Sequence, residues 1–409
     1  MKALYITHNG LADHIGQSQI LPYLLGLAKE GFSIAVVSAE KNAKKDNCIK
    51  IEARLAGAGV TWRPVPYHNN PPLVSTLFDL FRMYGVAKAL IESTDVGVIH
   101  CRSFLPTFLG LFLKRKYGIP VIFDFRDFWA DRGLRTKPFK FVYRFIKRRE
   151  GWMIRNSDHV VTLTEKARTI LFVNYLQGQL SSVDDRFTVI PTCADLDLFD
   201  TRKVPQAARN AYRDELGLSP NDLVFGYLGT FHEDYIPHMM FRAFKVLQSI
   251  KPEAKFLFVT PGNHDEIFRF ADACGVQRDD LRIISADREN IAKILAVFNL
   301  SVVFIRADES TAGVSPTKLA ELFACNIPVL ANPGVGDMDR IVSPERNDSV
   351  LVEDFSEAAL QRALLKLLEI MALPRRLGRQ ASEQFSLDEG IRRYHHVYSK
   401  FIKLSKTIC

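Results

Sequence analysis

The sequence predicts an α/β protein made of two doubly wound parallel-sheet domains in tandem. Three observations carry this reading. Short apolar runs alternate with helical patterns from end to end, as expected of strands buried on both faces of a parallel sheet. The alternation pauses over residues 200–222, a polar stretch with Pro205 and Pro220, and then restarts. The length of 409 residues suits two or three domains at ~150 residues each.

Taken in order, the first half places strands at residues 2–7, 33–38, 60–65, 97–101, 120–124, 159–163 and 187–190. Residues 17–30 are helical in pattern and are stopped by Gly31. The second half places strands at residues 223–229, 255–260, 281–285, 300–305, 328–331 and 350–352. A last amphipathic helix runs from about 387 to 404, with Ile391, Tyr394, Val397 and Phe401 on one side. In open parallel sheets ligands sit beyond the carboxyl ends of the strands. Two such sheets facing each other would form a cleft for two substrates.

Composition excludes several classes. With 47% apolar and 24% charged residues the chain is neither disordered nor collagen-like. No apolar run reaches the ~18 residues of a membrane-spanning helix. The opening Met1–Ile6 turns polar too soon for a secretory leader. Six scattered cysteines with no C-x-x-C fit a reducing cytosol and give no metal-ligand spacing. There is no phosphate-binding G-x-x-x-x-G-K-S/T loop and no Ser/His/Asp hydrolase elbow. Residues 1–199 carry 27 Lys and Arg against 18 Asp and Glu, whereas residues 200–409 carry 27 against 28. A basic first half beside a neutral second half points to an anionic partner met by the first half.

The densest motif is S-P-T-K-L-A-E-L-F-A-C-N-I-P-V-L-A-N, from Ser315 to Asn332. Ser315 is expected to cap a helix, with Pro316 at its first position. The start of such a helix offers backbone N–H groups and a positive dipole end, a site for a diphosphate. Lys318 shares a face with Glu321. A lysine in a first turn opposes the helix dipole, so a bound anion would account for it. Glu321, one turn deeper, can accept hydrogen bonds from a ribose diol. A capped surface helix with a Lys–Glu pair is the plain alternative.

This motif, followed by Gly334, Gly336 and Asp337, resembles the donor-binding segment of the retaining family 4 glycosyltransferases of the GT-B fold. So does I-P-T-C-A-D-L-D-L-F at residues 190–199, and so does Leu228-Gly229-Thr230 at the first turn of the second domain. The resemblance implies an N-terminal acceptor-side Rossmann-like domain at 1–199, with the 387–404 helix packing back on it. It implies a C-terminal nucleotide-sugar domain at 200–386. It also implies donor contacts from Gly229, Thr230, Ser315, Pro316, Thr317 and Glu321, with no metal and no other cofactor. Two positions depart from the family pattern. Gly313 stands where a glutamate is common, leaving its role to Asp308 or Glu309. The stretch after Gly229 lacks the usual Arg and Lys, so Lys318, Arg306 or His232 would face the diphosphate.

In the first half, the loop after the first strand leads through Gly16 and Gln17 into a helix. In the family the matching loop faces the donor diphosphate. His100 ends one strand, and Asp124 and Arg126 end the next. Charges there serve either an internal salt bridge or a substrate. The resemblance makes His100, Asp124, Arg126 and Lys318 the catalytic candidates. Residues 135–149 interleave seven cations with aromatics. As a helix, this stretch would place Phe141, Val142, Phe145 and Ile146 on one face. Lys140, Arg144, Lys147 and Arg148 would form a basic face for an anionic membrane or a polyprenyl-diphosphate-linked acceptor. A nucleic-acid fold is not indicated. The expectation is a cytoplasmic, peripherally membrane-bound, metal-independent retaining glycosyltransferase that builds a surface polysaccharide or glycolipid. A nucleotide-sugar epimerase and a degenerate, non-catalytic partner subunit are its rivals.

Overall fold

The computed structural model describes residues 1–41, 45–178, 182–262, 264–286, 290–374 and 377–402. The chain divides into two compact units. The first comprises Met1–Pro191, Ala312–Val314 and the stretch from Leu387; the second comprises Thr192–Thr311 and Ser315–Ser386. The sequence placed the division at 199/200.

The first unit carries β1 (Lys2–Thr7), β2 (Ser33–Glu40), β3 (Thr61–Pro66), β4 (Val96–Arg102), β5 (Val121–Phe125), β6 (His159–Thr162) and β7 (Phe187–Val189). They form one sheet in the order β3-β2-β1-β4-β5-β6-β7, every pair parallel. The order reverses between β1 and β4, which is the topological switch point of a doubly wound sheet. Most strand residues are buried on both faces, so the strands read as continuous apolar runs. The core on one side of the sheet gathers Phe104, Phe123 and Phe125, which meet edge to face or tilted.

The second unit carries β8 (Leu223–Leu228), β9 (Ala254–Val259), β10 (Leu281–Ile284), β11 (Leu300–Val303), β12 (Val329–Ala331) and β13 (Val350–Leu351). Its parallel order is β10-β9-β8-β11-β12-β13, with the reversal between β8 and β11. Its core is rich in phenylalanine: Phe225, Phe241, Phe244, Phe256 and Phe258 are all fully buried.

Three local expectations change. The helix expected at 17–30 is two helices, His14–Gln19 and Leu21–Lys29, broken at Ile20. Pro22 has no N–H to continue the first ladder and sits comfortably only in a new first turn. The final helix ends at Ser399, short of 404, and residues 403–404 lie outside the described residues. The donor-motif helix spans Thr317–Ala324, so Pro316 takes the cap position expected of Ser315.

Candidate active site

The second unit gathers the donor-motif residues around one buried amine. The chain leaves β8 through Gly229, whose φ of 119° is open only to glycine. A Cβ at Gly229 would stand 3.1 Å from the Lys318 Nζ. Lys318 is on the first turn of the Thr317–Ala324 helix, yet it is buried. Its Nζ lies 3.7 Å from the centroid of the Tyr235 ring and 4.6 Å from that of Tyr227. It also donates to the Tyr227 hydroxyl at 3.4 Å, and that hydroxyl donates to the Thr230 carbonyl at 2.5 Å. Burial lowers the Lys318 pKa to about 7, against an upward pull from Glu321. The expected solvated first-turn cation is therefore a buried amine on two aromatic faces. A pKa near neutrality makes its charge responsive to any anion placed beside it.

Ser315 does not cap the helix. Its hydroxyl accepts from the Thr192 N–H at 3.2 Å, and the Thr192 hydroxyl donates to the Ser315 carbonyl at 2.5 Å. Ser315 thus ties the helix entrance to the start of its own unit, a corrected role. Glu321 is half-buried, one turn beyond Lys318. Gly229, Thr230, Pro316, Thr317, Lys318 and Glu321 lie at the carboxyl end of β8 and at the start of this helix. That is where an open parallel sheet holds its ligand.

The first unit organises its candidates differently. Asp124 is fully buried at the end of β5. It accepts from Arg102 Nη1 at 3.4 Å, from Arg126 Nη1 at 3.3 Å and from the Tyr394 hydroxyl at 3.3 Å. Burial alone would raise its pKa; Arg126, His100 and Arg102 outweigh that and hold it well below the usual carboxylate range. Gln19 bridges Arg102 and Arg126 through its Oε1. His100, 2% exposed, shares a hydrogen bond of 2.9 Å between its Nδ1 and the Tyr398 hydroxyl. Its Nε2 is 3.6 Å from Asp124, an ion-pair distance rather than a hydrogen bond. Burial lowers the His100 pKa and keeps the ring neutral near pH 7.

His100, Asp124 and Arg126 belong to an internal network that ties the Leu387–Ser399 helix to β4 and β5, the salt-bridge alternative read from the sequence. Within this network the His100 Nε2 and the Nε of Arg102 and of Arg126 are buried without a hydrogen-bond partner. Sequence reasoning missed Tyr398 as a partner and assigned Tyr394 to an apolar face. Their four-residue spacing on one helix face was the available signal.

The loop after β1 is held by Glu40, at the end of β2. Its carboxylate accepts from the Leu11 N–H at 2.6 Å, the Ala12 N–H at 3.1 Å and the Ser38 hydroxyl at 2.6 Å. Gly16 is packed against this same loop: a Cβ there would stand 2.1 Å from the Gly10 carbonyl. Its missing Cβ leaves room for the backbone of its own loop at Gly10 and Leu11. Gln17 stays exposed at the helix start and donates to the Ala12 carbonyl at 3.0 Å.

Residues 140–156 form the expected basic helix, with two corrections. Lys147 is held inward by Asp131 at 2.8 Å and Glu150 at 2.9 Å. Phe141 and Phe145 are exposed beside Lys140, Arg144 and Arg148, while Ile146 is buried and Val142 half-buried. Among the described residues no helix is long and apolar enough to cross a membrane. Nor does any group of three or more His, Cys, Asp or Glu among them form a metal cluster.

Two Rossmann-like parallel-sheet units, one of seven strands and one of six, define a GT-B type α/β protein. Two family models cover most of the chain. The glycosyl transferase 4-like domain matches residues 18–179, and glycosyl transferases group 1 matches residues 208–384. The chain belongs to the family 4-like GT-B glycosyltransferases. It is 22% identical over 340 residues to a D-inositol 3-phosphate glycosyltransferase of Segniliparus rotundus, covering 78% of this chain and 72% of that one. Among solved structures it resembles sucrose-phosphate synthase of Thermosynechococcus elongatus. The TM-score is 0.73 at 16% identity, over 98% of this chain and 99% of that one. It also resembles Anabaena HepE in complex with UDP and glucose, with a TM-score of 0.68 at 15% identity over 98% and 99% of the two chains.

Proposed function

We propose that the protein transfers a glycosyl group from a nucleotide-diphosphate sugar to a lipid-linked glycan acceptor with retention of configuration, at the cytoplasmic face of an anionic membrane. The observation that carries this reading is the placement of Lys318. Its amine sits beside the Gly229 turn, at the start of a helix, with Glu321 one turn on. In this reading the diphosphate takes the helix start, and Glu321 accepts hydrogen bonds from the ribose diol. Thr230 and Thr317 line the same site.

As the sugar departs, negative charge grows on the diphosphate. The helix dipole and a protonated Lys318 stabilise that charge without requiring a metal ion. The acceptor hydroxyl attacks the face that the diphosphate leaves and passes its proton to that leaving group. The first unit carries the acceptor, and its exposed Lys140, Arg144 and Arg148 bring it to the anionic surface. The enzyme would serve surface polysaccharide or glycolipid synthesis.

A thermal-shift screen over common nucleotide sugars tests the donor site. A donor at 100 times its Kd should stabilise the protein by ~2.7 kcal/mol, and Glu321→Ala should lose that shift. A shift retained in full by the variant would place the donor elsewhere.

A further inference from the structure

The helix Val74–Ser93 of the first unit is inside out over its first two turns. Its inward residues there are Ser75 and Asp79, both buried. Its outward residues are Val74, Leu77, Phe78 and Phe81, with Leu77 68%, Phe78 52% and Phe81 75% exposed. An ordinary surface helix shows the opposite arrangement. The setting is pinned. The Asp79 carboxylate, fully buried, accepts from the His68 backbone N–H at 2.7 Å and pairs with its Nδ1 at 2.5 Å. Rotating the helix to bury the phenylalanines would break both contacts and drive Asp79 into water. The chain thus fixes an apolar ridge outward.

The ridge has company. Val74–Ser93 packs on the helix Phe104–Tyr117, which packs on Lys140–Asn156. In a parallel sheet each crossover helix starts at the carboxyl end of one strand and runs back to the amino end of another. The early turns of Val74–Ser93 and Lys140–Asn156 therefore share one end of the layer, the carboxyl end of the strands. Phe141 and Phe145 are exposed on the second of these, as Phe78 and Phe81 are on the first. Both helices are entered through a bulky residue at positive φ, Leu73 at 68° and Phe139 at 59°. Such conformations persist only where the surroundings impose them.

Charge selects the occupant. The helices Val74–Ser93, Phe104–Tyr117 and Lys140–Asn156 hold eleven Lys and Arg against three acids; Asp79 and Glu150 are buried, and Glu92 is exposed in the last turn of its helix, at the far end from the ridge. Arg82 follows the ridge directly, and Lys140, Arg144 and Arg148 are exposed on the neighbouring helix. Exposed aromatic and aliphatic side chains among cations, with no exposed acid in the early turns of these helices, match the acyl boundary and anionic headgroups of a lipid leaflet.

We infer that this layer is a membrane-inserting surface, in which Leu77, Phe78 and Phe81 enter the acyl boundary of an anionic leaflet while the flanking cations hold its headgroups. The inference rests on the membrane reading above and goes beyond it, because that reading needs only electrostatic contact. Insertion would set the carboxyl ends of the first unit's strands beside the lipid surface, where a lipid-linked acceptor presents its sugar.

The test uses the full chain with vesicles of phosphatidylcholine alone or mixed with phosphatidylglycerol. Wild type should sediment with the anionic vesicles and keep part of its binding in high salt. The variant Leu77→Gln, Phe78→Gln, Phe81→Gln changes only exposed positions. It should keep its far-ultraviolet spectrum and bind at least ~100-fold more weakly, because each large side chain withdrawn from water contributes on the order of tenfold. In a Phe81→Trp variant, acyl-brominated anionic lipid should quench the introduced indole. Binding that is wholly released by salt, with that indole unquenched, would overturn insertion and leave the electrostatic reading standing. No sedimentation of wild type would overturn both. A concentration-dependent dimer, lost in the triple variant, would make the ridge a contact between copies of the chain and overturn the lipid assignment.

Discussion

Replacing Lys318 with methionine separates its cost to the fold from its use in the reaction. The amine is buried against Tyr227 and Tyr235, and its pKa falls to about 7. An unfolded lysine titrates near 10.4. Below pH 7 both states carry the proton, and the folded state bears a constant penalty. Between about 7 and 10.4 only the unfolded state holds it, so wild-type stability should rise by up to ~1.4 kcal/mol per pH unit. The two aromatic faces return ~0.5–2 kcal/mol of the penalty each. Lys318→Met keeps the apolar stem and removes the charge. It should therefore be more stable than wild type at pH 6 by ~1–3 kcal/mol, with the gain shrinking toward pH 10, as read from urea midpoints. Activity should move the other way, with turnover falling ~10²-fold or more. Calorimetry in buffers of different ionisation enthalpy gives the decisive signal. At pH 8 the empty protein is mostly deprotonated at Lys318, so donor binding should take up close to one proton, about 0.9, and none in the variant. Equal proton uptake in both proteins, or normal turnover in Lys318→Met, would refute the assignment.

Three further outcomes follow from the same geometry. Glu321→Ala should weaken nucleotide binding by ~3–6 kcal/mol if two charge-assisted ribose bonds are lost, measured by calorimetry. Asp124→Asn strips the countercharge from the buried Arg102 and Arg126. It should cost ~3–5 kcal/mol at pH 7. The depressed carboxyl stabilises wild type above the ordinary aspartate pKa and is lost as pH falls below ~4, so the gap between the proteins should close in acid unfolding curves. Turnover should survive exhaustive chelation if, as proposed, the helix end and Lys318 supply the positive charge. Collapse with EDTA and rescue by Mn²⁺ or Mg²⁺ would contradict this.

The strands were the most legible feature. All thirteen lie within two residues of the positions read from the sequence, because a strand buried on both faces leaves an unbroken apolar run. What the sequence could not show were encounters across the chain. Lys318 reads as a surface cation until Tyr227 and Tyr235 close over it. His100 and Asp124 read as strand-end polar groups for a salt bridge or a substrate, and nothing near them in sequence announces Tyr398 and Tyr394 of the last helix. Ser315 reads as a cap until Thr192 takes its hydroxyl. Phe141 and Phe145 share an arc with Val142 and Ile146 in a helical projection, but the neighbouring helices cover only part of that arc. In each case the residue type was informative and the partner was out of sight.

The most direct test of the central claim is a product assay. The purified chain is incubated with a panel of labelled nucleotide sugars, with and without a bacterial lipid extract, and both the nucleotide and the lipid products are followed by mass spectrometry. The account predicts release of a nucleoside diphosphate together with a glycosylated lipid, strictly dependent on the extract and reduced ~10²-fold or more in Lys318→Met. Conversion of the donor without any extract would mark an epimerase. Donor binding with no product under any condition would mark a non-catalytic subunit, and either result would contradict the account.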